Sequence, residues 1–235
     1  MRHRSDLPAD SNLRPDSRPK EQIWRGYYDG YFELAESEGL QPVELLDRDW
    51  ADGRDTAERC VLPYVDPNSS VLEIACGIGR VGRFVAPHCA AICCTDILDQ
   101  ALDECRANLS AFPHAKFVKT NGYDLDGFGD DSFDCVYSFT AFFHFDWELV
   151  VAYFVNIKRV LRPGGVAVIE FKRWEREFDV EQLLAKCVAV GGVQNYERQL
   201  DKWRYVSSQM LEVTCDHFGL EPVDRDVTHY TFRKP

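Results

Sequence analysis

The chain has 235 residues, enough for one medium domain or for a domain with a small appendage. Its formal net charge of -12 argues against nucleic acid as a substrate, because an acidic surface repels a phosphate backbone and the sequence shows no basic patch. No run of residues approaches the roughly 18 apolar residues of a membrane helix, so we expect no membrane span.

The N-terminal third is predicted to contain a leader and a helical cap. Residues 1–20 are polar, carry three prolines and lack the apolar segment of a secretory signal, so we expect a disordered leader. Residues 21–66 are predicted to form the cap, with a second helix around 53–64. Its first helix has one aromatic face, which is compatible either with a lid over a ligand or with plain helix packing. That face carries Trp24, Tyr27, Tyr28, Tyr31 and Phe32.

From residue 71 onward, predicted strands and helices alternate. The strands are predicted at 71–75, 91–95, 115–119, 133–138 and 165–171. The helices between them are predicted from a glycine-rich turn to about residue 86, through 98–109 and at 147–161, where Pro163 and two glycines end the last one. Such alternation indicates a parallel sheet with helices on both faces.

The C-terminal part has a different pattern. A helix at 207–218 is followed by two short strands, at about 221–226 and 228–233, whose short linker favours an antiparallel β-hairpin over another crossover. We expect one domain over 67–235, with an insert at 172–204 after the fifth strand.

The nine cysteines show no CxxC pair and no metal-ligand spacing, so we predict no metal site. Several lie within apolar segments, such as Cys93 and Cys94 in AAICCTD. An odd number of cysteines scattered through core strands is typical of reduced thiols in a cytoplasmic protein.

The turn after the first predicted strand is compatible with two cofactors. Gly77, Gly79 and Gly82 match the G-x-G-x-x-G pattern of dinucleotide-binding folds, with Asp96 at the end of the next strand. Glu73, Gly77 and Gly79 also match an acidic-x-G-x-G-x-G pattern in which Ala75 replaces the first glycine. A charged residue inside the strand, together with the closing hairpin, favours the second pattern.

Five segments in the right order carry a resemblance to a known family. They are VLEIACGIGR, CTDIL, KTNGYDL, DDSFDCVYSF and LRPGG. On these segments the chain resembles the class I S-adenosylmethionine-dependent methyltransferases, over about residues 68–171. The resemblance implies an α/β fold, a Rossmann-like three-layer α/β/α sandwich with a seven-stranded, mostly parallel sheet and a C-terminal antiparallel hairpin. It also implies S-adenosyl-L-methionine as cofactor.

The same resemblance suggests a set of cofactor-binding residues. Asp96 is expected to accept hydrogen bonds from the ribose hydroxyls, although a helix cap is an alternative role. Asn121 stands where the family commonly has an acidic residue at the adenine, and a turn asparagine is the alternative. Arg80 is placed either at the cofactor carboxylate or on the surface. The full set is Tyr28, Glu73, Ala75, Cys76, Gly77, Gly79, Arg80, Asp96, Ile97, Asn121, Gly122, Ser138 and Phe139.

On the acceptor side, His144 is the candidate catalytic base, with a structural role as the alternative. No N/D-P-P-Y/F motif follows the fourth strand, which argues against amino methylation of adenine or glutamine. We therefore expect a small-molecule acceptor. An NAD(P)-dependent oxidoreductase and a catalytically inactive cofactor-binding protein remain alternatives, and both a monomer and a homodimer remain open.

Overall fold

The computed structural model describes residues 18–174, 180–189, 191, 203–224 and 229–235. The strands are β1 (Ser70–Ile74), β2 (Ala91–Asp96), β3 (Ala115–Lys119), β4 (Phe133–Ser138), β5 (Leu161–Glu170), β6 (Lys172–Arg173), β7 (Tyr205–Val206), β8 (Glu221–Asp224) and β9 (His229–Arg233). The helices are α1 (Arg18–Glu38), α2 (Pro42–Asp49), α3 (Gly53–Thr56), α4 (Gly82–Val85), α5 (Asp99–Asn108), α6 (Trp147–Val160), α7 (Val180–Ala189) and α8 (Ser208–Phe218).

Seven strands form one sheet in the order β3-β2-β1-β4-β5-β9-β8. Strands β1 to β5 pair in parallel, whereas β9 is antiparallel to both β5 and β8. The seven-stranded, mostly parallel sheet with a C-terminal antiparallel hairpin is therefore confirmed. Residues 225–228 of the predicted hairpin lie outside the described residues.

The order of the strands reverses next to β1. Successive strands run outward from β1 through β2 to β3, and the chain then returns to place β4 on the other side of β1. In open α/β sheets, ligands bind at the carboxyl ends of the strands at this reversal point. The topology therefore directs attention to the residues that follow β1 and β4.

Apolar side chains cover both faces of the sheet, as the near-continuous apolar strands predict. One face packs against α6 and α8, where Phe154 stacks on Phe232 at 4.8 Å between ring centroids. The opposite face packs against the segment after α3 and against α5, through residues such as Val61 and Leu102. These two cores make the three layers of the predicted sandwich.

Three boundaries differ from the sequence-based expectation. Strand β5 starts at Leu161 rather than at residue 165, because Leu161 pairs with Phe133 and the Gly164 N–H donates to the Lys234 carbonyl at 2.7 Å. Helix α4 is a single turn, since Pro87 cannot donate the next helical hydrogen bond. Helix α2 is not predicted, although Pro42 at its start and the Gln41 N–H bond to Glu44 are recognisable start signals.

The aromatic face of α1 packs on the edge of the domain. Helix α1 begins at Arg18, inside the predicted leader, while residues 1–17 lie outside the described residues. Its Trp24, Tyr28 and Phe32 contact a small buried cluster that includes Leu46 of α2 and Ile78 of the glycine-rich turn. Helix α1 is thereby held over the carboxyl edge of the sheet. In the described part of the chain, no helix combines the length and apolarity that a membrane crossing requires.

The predicted C-terminal helix, α8, is capped at its start by Ser207, and the contribution of this cap to stability can be measured. The Ser207 hydroxyl accepts a hydrogen bond from the Met210 N–H at 3.1 Å. We expect Ser207→Ala to lower the free energy of unfolding by about 1 kcal/mol, because the Met210 N–H loses its acceptor. Urea denaturation measures the change. Gln209→Ala, at an exposed position in the first turn, is the control, and equal stability of the two variants would contradict the capping role.

Candidate functional site

A cavity of about 940 Å³ lies at the carboxyl ends of β1, β2 and β4. Its walls come from the turn after β1, the end of β2, the segments after β3 and β4, and α1. Ten of the predicted cofactor-binding residues line it: Tyr28, Glu73, Ala75, Cys76, Gly77, Arg80, Asp96, Ile97, Gly122 and Phe139.

The turn after β1 adopts a backbone conformation that favours small residues. Gly77 and Gly79 have φ values of 53° and 81°, and Ala75 has a φ of 54°. A left-handed alanine costs about 1–2 kcal/mol, so the surrounding structure must hold it in place. The Cys76 N–H donates to the Thr95 carbonyl at 2.8 Å, which ties the turn to the end of β2.

Asp96 joins this turn to the start of α5. Its Oδ2 accepts a hydrogen bond from the Gly77 N–H and its Oδ1 accepts one from the Leu98 N–H, both at 3.0 Å. Burial raises the pKa of Asp96 to about 6, although the backbone donors oppose this rise. A carboxylate has about four lone-pair positions, so these backbone donors leave acceptor capacity for a ligand in the cavity. Asp96 is both a structural acceptor and a candidate ligand for a diol.

Glu73 occupies a tightly enclosed site behind the turn. Its side chain is 4% exposed, and burial raises the pKa of Glu73 well above its ordinary value. The Cys94 thiol donates to its Oε2 at 3.7 Å. A methyl group on Gly82 would lie only 2.4 Å from the same oxygen, so Gly82 leaves the space that the carboxyl group fills. Burial likewise raises the pKa of Cys76, so its thiol stays neutral.

Helix α1 forms the outer wall of the cavity. A methyl group on Gly77 would lie 2.3 Å from the Tyr28 hydroxyl oxygen, so Tyr28 contacts the turn directly. Burial, and then the charge of Asp96, raise the pKa of Tyr28, which keeps its hydroxyl a donor. At the other end of the wall, the Lys20 ammonium lies 4.1 Å from the centre of the Tyr123 ring.

Four predicted residues lie elsewhere. Gly79 faces α5, where an added methyl group would lie 2.9 Å from the Cys105 sulfur. The buried Ser138 hydroxyl donates to the Ile74 carbonyl at 2.7 Å. The Asn121 Oδ1 accepts from the Tyr123 and Asp124 N–H groups, a turn arrangement. His144 lines a neighbouring cavity and not the first one.

Arg80 is buried rather than exposed. Its side chain is 7% exposed, and its guanidinium donates to the Ala51 carbonyl between α2 and α3. The neighbouring Arg83 pairs with Asp47 of α2. These two contacts attach the helical N-terminal segment to the glycine-rich turn, while Arg80 still lines the cavity.

The structure adds lining residues that the sequence patterns do not single out. Position 120 directly follows β3 and position 140 lies two residues after β4, which is a usable signal. Tyr153 instead belongs to the apolar face of α6 and looks like an ordinary core residue. Leu46 lies on the helix that was not predicted. The added residues include Lys20, Leu46, Thr120, Thr140, Phe145 and Tyr153.

The predicted insert at 172–204 is described only in part. Lys172 of β6 lies 5.4 Å from the Phe143 ring centre, and residues 180–189 form α7. Residues 175–179, 190 and 192–202 lie outside the described residues. Among the side chains that the structure does describe, no group of three His, Cys, Asp or Glu residues could hold a metal ion.

The residues of the cavity suit S-adenosylmethionine. Asp96 offers free acceptor positions for a ribose diol at the end of β2, and the turn after β1 brings bare backbone to the cavity at Gly77. Gly122 packs so closely on Ile97 that an added methyl group would lie 2.8 Å from its side chain. These two residues therefore make a narrow wall beside Asp96, as a flat base would require.

Comparison with known families identifies the central part of the chain. Residues 71–165 match the family model described as a methyltransferase domain. This segment is therefore similar to a methyltransferase domain. The matched segment begins at β1 and ends at the turn that starts β5, so it includes Glu73, Asp96 and His144.

Curated relatives are similar over about half of their own length. The chain is 28% identical to an uncharacterised methyltransferase of Synechocystis sp. over 110 residues, which are 46% of this chain and 50% of that protein. It is 24% identical to nodulation protein S of Rhizobium tropici over 130 residues, 51% of this chain and 52% of the relative.

Solved structures confirm the class I methyltransferase fold. The 1,6-didemethyltoxoflavin-N1-methyltransferase of Burkholderia thailandensis, solved with 1,6-didemethyltoxoflavin and S-adenosylhomocysteine, is similar with a TM-score of 0.64 and 16% identity. That similarity covers 97% of this chain and 94% of the other. The N-methyltransferase NodS of Bradyrhizobium japonicum gives a TM-score of 0.55 at 18% identity, covering 77% of this chain and 94% of NodS.

Proposed function

We propose that this protein binds S-adenosylmethionine in the cavity at the ends of β1, β2 and β4 and transfers its methyl group to a small-molecule acceptor. The observation that carries the proposal is the buried Asp96 carboxylate, which links the glycine-rich turn to α5 and faces the cavity. The match of residues 71–165 to a methyltransferase domain supports it. An oxidoreductase using NAD(P) has the glycine spacing and Asp96 in its favour, but the charged Glu73 within β1 argues against it.

Each side of the cavity has a role in this proposal. Asp96 accepts hydrogen bonds from the ribose, and Ile97 with Gly122 holds the adenine. Ala75, Cys76 and Gly77 line the methionine part, with Phe139 beneath it and Arg80 near its carboxylate. Glu73 lines the base of the cavity behind the turn. Gly79, Asn121 and Ser138 act one layer further out, by holding these residues in position. Residues 21–66 act as a helical cap on a transferase domain formed by 67–235.

The bound cofactor supplies a methyl group on a positively charged sulfur. The protein's contribution is then to align the acceptor and to exclude water, and alignment alone can supply on the order of 7–11 kcal/mol. Helix α1 covers the cavity with Trp24 and Tyr28, which limits the access of water. Tyr28 remains a neutral donor, because burial and Asp96 raise its pKa.

A small acceptor agrees with the site and with two similar proteins. The two similar structures are enzymes named for methylation of 1,6-didemethyltoxoflavin and for N-methylation. The net charge of -12 argues against nucleic acid as acceptor. We further propose a cytoplasmic location, because all nine cysteines are buried and none forms a disulfide, as expected in a reducing compartment.

We propose His144 as a general base for acceptors that arrive protonated. Its ring contacts Trp24 edge to face at 4.9 Å and Phe143 at 4.5 Å between centroids, so its orientation is restrained. We expect His144→Ala to lower kcat by about 10²-fold or more, with an unchanged Kd for S-adenosylhomocysteine. Steady-state kinetics with an acceptor found in the transfer assay below measure this, and an unchanged kcat would assign His144 a structural role.

Two measurements test the proposed function. Calorimetric titration should show binding of S-adenosylhomocysteine and none of NAD; the reverse result would overturn the proposal in favour of an oxidoreductase. Incubation with methyl-tritiated S-adenosylmethionine and a panel of phenols, amines and ring-nitrogen heterocycles should yield a labelled product. Tight cofactor binding with no transfer to any acceptor would favour an inactive cofactor-binding protein.

A further inference from the structure

A second cavity, of about 640 Å³, adjoins the first one beneath α1. The two cavities share five wall residues: Trp24, Tyr28, Leu46, Arg80 and Thr140. The second cavity adds Tyr27, Trp50 and His144, so five of its eight lining residues carry a ring. A molecule placed in it would lie next to whatever occupies the first cavity, with only shared side chains between them.

The rings of this cavity are held in edge-to-face contacts. Trp24 and Tyr27 meet at 5.7 Å and 76°, Tyr27 and Tyr28 at 5.5 Å and 81°, and Trp24 and His144 at 4.9 Å and 72°. In each such pair, the ring that supplies the edge keeps its face uncovered by that partner. Tyr27 and Tyr28 also lie tilted by 35° against Tyr31 and Phe32, at 5.1 Å and 5.9 Å. Rings held at such fixed angles are suited to stacking on a flat ligand.

Trp50 is fixed at the outer side of the cavity. Its indole N–H donates to the Tyr31 hydroxyl at 3.0 Å, and that hydroxyl donates to Asp49 at 3.3 Å. The Asp49 carboxylate also accepts from Arg48 at 2.7 Å. These hydrogen bonds hold the Trp50 ring in place. The Asp49 carboxylate at the end of the chain of bonds is paired with Arg48 and not with Arg80.

The charge inside the cavity is opposite in sign to that of the whole protein. Arg80 is the one Lys or Arg among its described lining residues, and none of them is Asp or Glu. The Arg80 guanidinium is buried and donates to the neutral Ala51 carbonyl, while the acidic Glu73 and Asp96 line the first cavity and not this one. A cationic ligand would be repelled at close range, whereas a neutral or anionic ligand would not. The net charge of -12 alone would suggest the reverse preference.

We infer that this second cavity is an acceptor site that takes a planar aromatic or heteroaromatic molecule, neutral or anionic, with its ring against the aromatic side chains that line the cavity. That the bound molecule is a methyl acceptor rests on the proposed function, but the binding preference rests on the rings and the charge alone. Tyr27 and Trp50 select for a flat ring, and Arg80 selects against positive charge.

Three probes of similar size test the preference by calorimetry, each with and without S-adenosylhomocysteine. Naphthoate is planar and anionic, decahydronaphthoate has the same charge without the aromatic ring, and naphthyltrimethylammonium is planar and cationic. We expect naphthoate to bind and decahydronaphthoate to bind at least about fivefold more weakly, as the loss of one or two stacking contacts predicts. We expect the cation to bind at least about fivefold more weakly as well, because the Arg80 charge repels it. Tyr27→Leu and Trp50→Leu should each weaken naphthoate binding by about three- to tenfold and leave the Kd of S-adenosylhomocysteine unchanged.

Tyr64→Leu is the matched control, because Tyr64 lines a different cavity at the opposite edge of the sheet. Equal binding of naphthoate and decahydronaphthoate, preference for the cation, or no effect of either cavity variant would overturn the inference, as would absence of naphthoate binding. Ring-dependent naphthoate binding without binding of S-adenosylhomocysteine would support the site and refute the proposed methyl transfer. The two proposals therefore fail separately.

Discussion

Replacing Asp96 with alanine should weaken the binding of S-adenosylhomocysteine at least about tenfold at pH 7.5. A hydrogen bond to a charged group contributes about 1.5–3 kcal/mol, and a ribose can donate two such bonds. The substitution also removes the acceptor of the Gly77 and Leu98 N–H groups, so the turn itself loosens. Calorimetry gives the Kd, and thermal unfolding checks that the variant is folded.

The nearby Asp99→Ala is the control for this measurement. Asp99 starts α5, is 67% exposed and pairs with Lys119 at 2.7 Å, so it shares the charge of Asp96 without facing the cavity. We expect its Kd to stay within about twofold of the unmodified protein, since surface ion pairs contribute little. If Asp96→Ala behaves like Asp99→Ala, Asp96 is not a ligand of the cofactor.

The pH dependence of binding follows from the same carboxyl group. Burial raises the pKa of Asp96 to about 6 in the free protein, and hydrogen bonds from a ribose favour the ionised form, which lowers this pKa in the complex. Affinity is therefore highest above about pH 6 and falls as the carboxylate becomes protonated below it. We expect the Kd at pH 5 to be about tenfold higher than at pH 7.5, and expect this difference to vanish in Asp96→Asn.

Gly82→Ala should lower the free energy of unfolding by about 1–3 kcal/mol. The added methyl group would lie 2.4 Å from the buried Glu73 Oε2 and 3.6 Å from the Cys94 sulfur, so the carboxyl group must shift within a closely packed region. Gly82 starts α4 with an ordinary helical backbone, so the effect measures contact alone and not backbone strain. A domain of this size should lose roughly 2–4 °C of Tm per kcal/mol.

Two comparison variants test whether contact with Glu73 causes this loss of stability. Gly26→Ala in α1 has no atom within 4 Å of the added methyl group, so we expect it to raise stability by about 0.5–1 kcal/mol through helix propensity. In a Glu73→Ala background the Gly82→Ala penalty should disappear, because the clashing oxygen is gone. A penalty that persists in that background would show that Glu73 is not its cause.

Patterns along the chain were sufficient to predict the strands of the central sheet. Strands β3 and β4 have the predicted bounds, because both are short segments with apolar residues between turn residues in an alternating α/β pattern. The boundaries that were wrong depend on partners distant in sequence. Leu161 joins a strand because Phe133 lies beside it, and no local pattern contains that contact.

The residues of the candidate site likewise fall into those predicted from local patterns and those placed by contacts distant in sequence. The position of Asp96 at the end of a strand and the glycine-rich turn after β1 are local features, and the structure brings them together with a 3.0 Å hydrogen bond. The Asn121 side chain instead accepts a hydrogen bond within its own turn. This is the alternative role that was predicted for an asparagine before glycine. Lys20 lies within the predicted leader, yet it contacts the Tyr123 ring.

The sequence by itself determined the layer order, the cofactor turn and the carboxylate at the end of β2, because each depends on residues close together in the chain. Only the tertiary structure decided where α1 lies, since its aromatic face is equally compatible with a lid and with a core. Its packing over Gly77 places Tyr28 at the cofactor turn and encloses a second, ring-lined cavity beside Arg80. The nature of the acceptor is therefore a property of long-range packing, which periodicity and motif spacing do not contain.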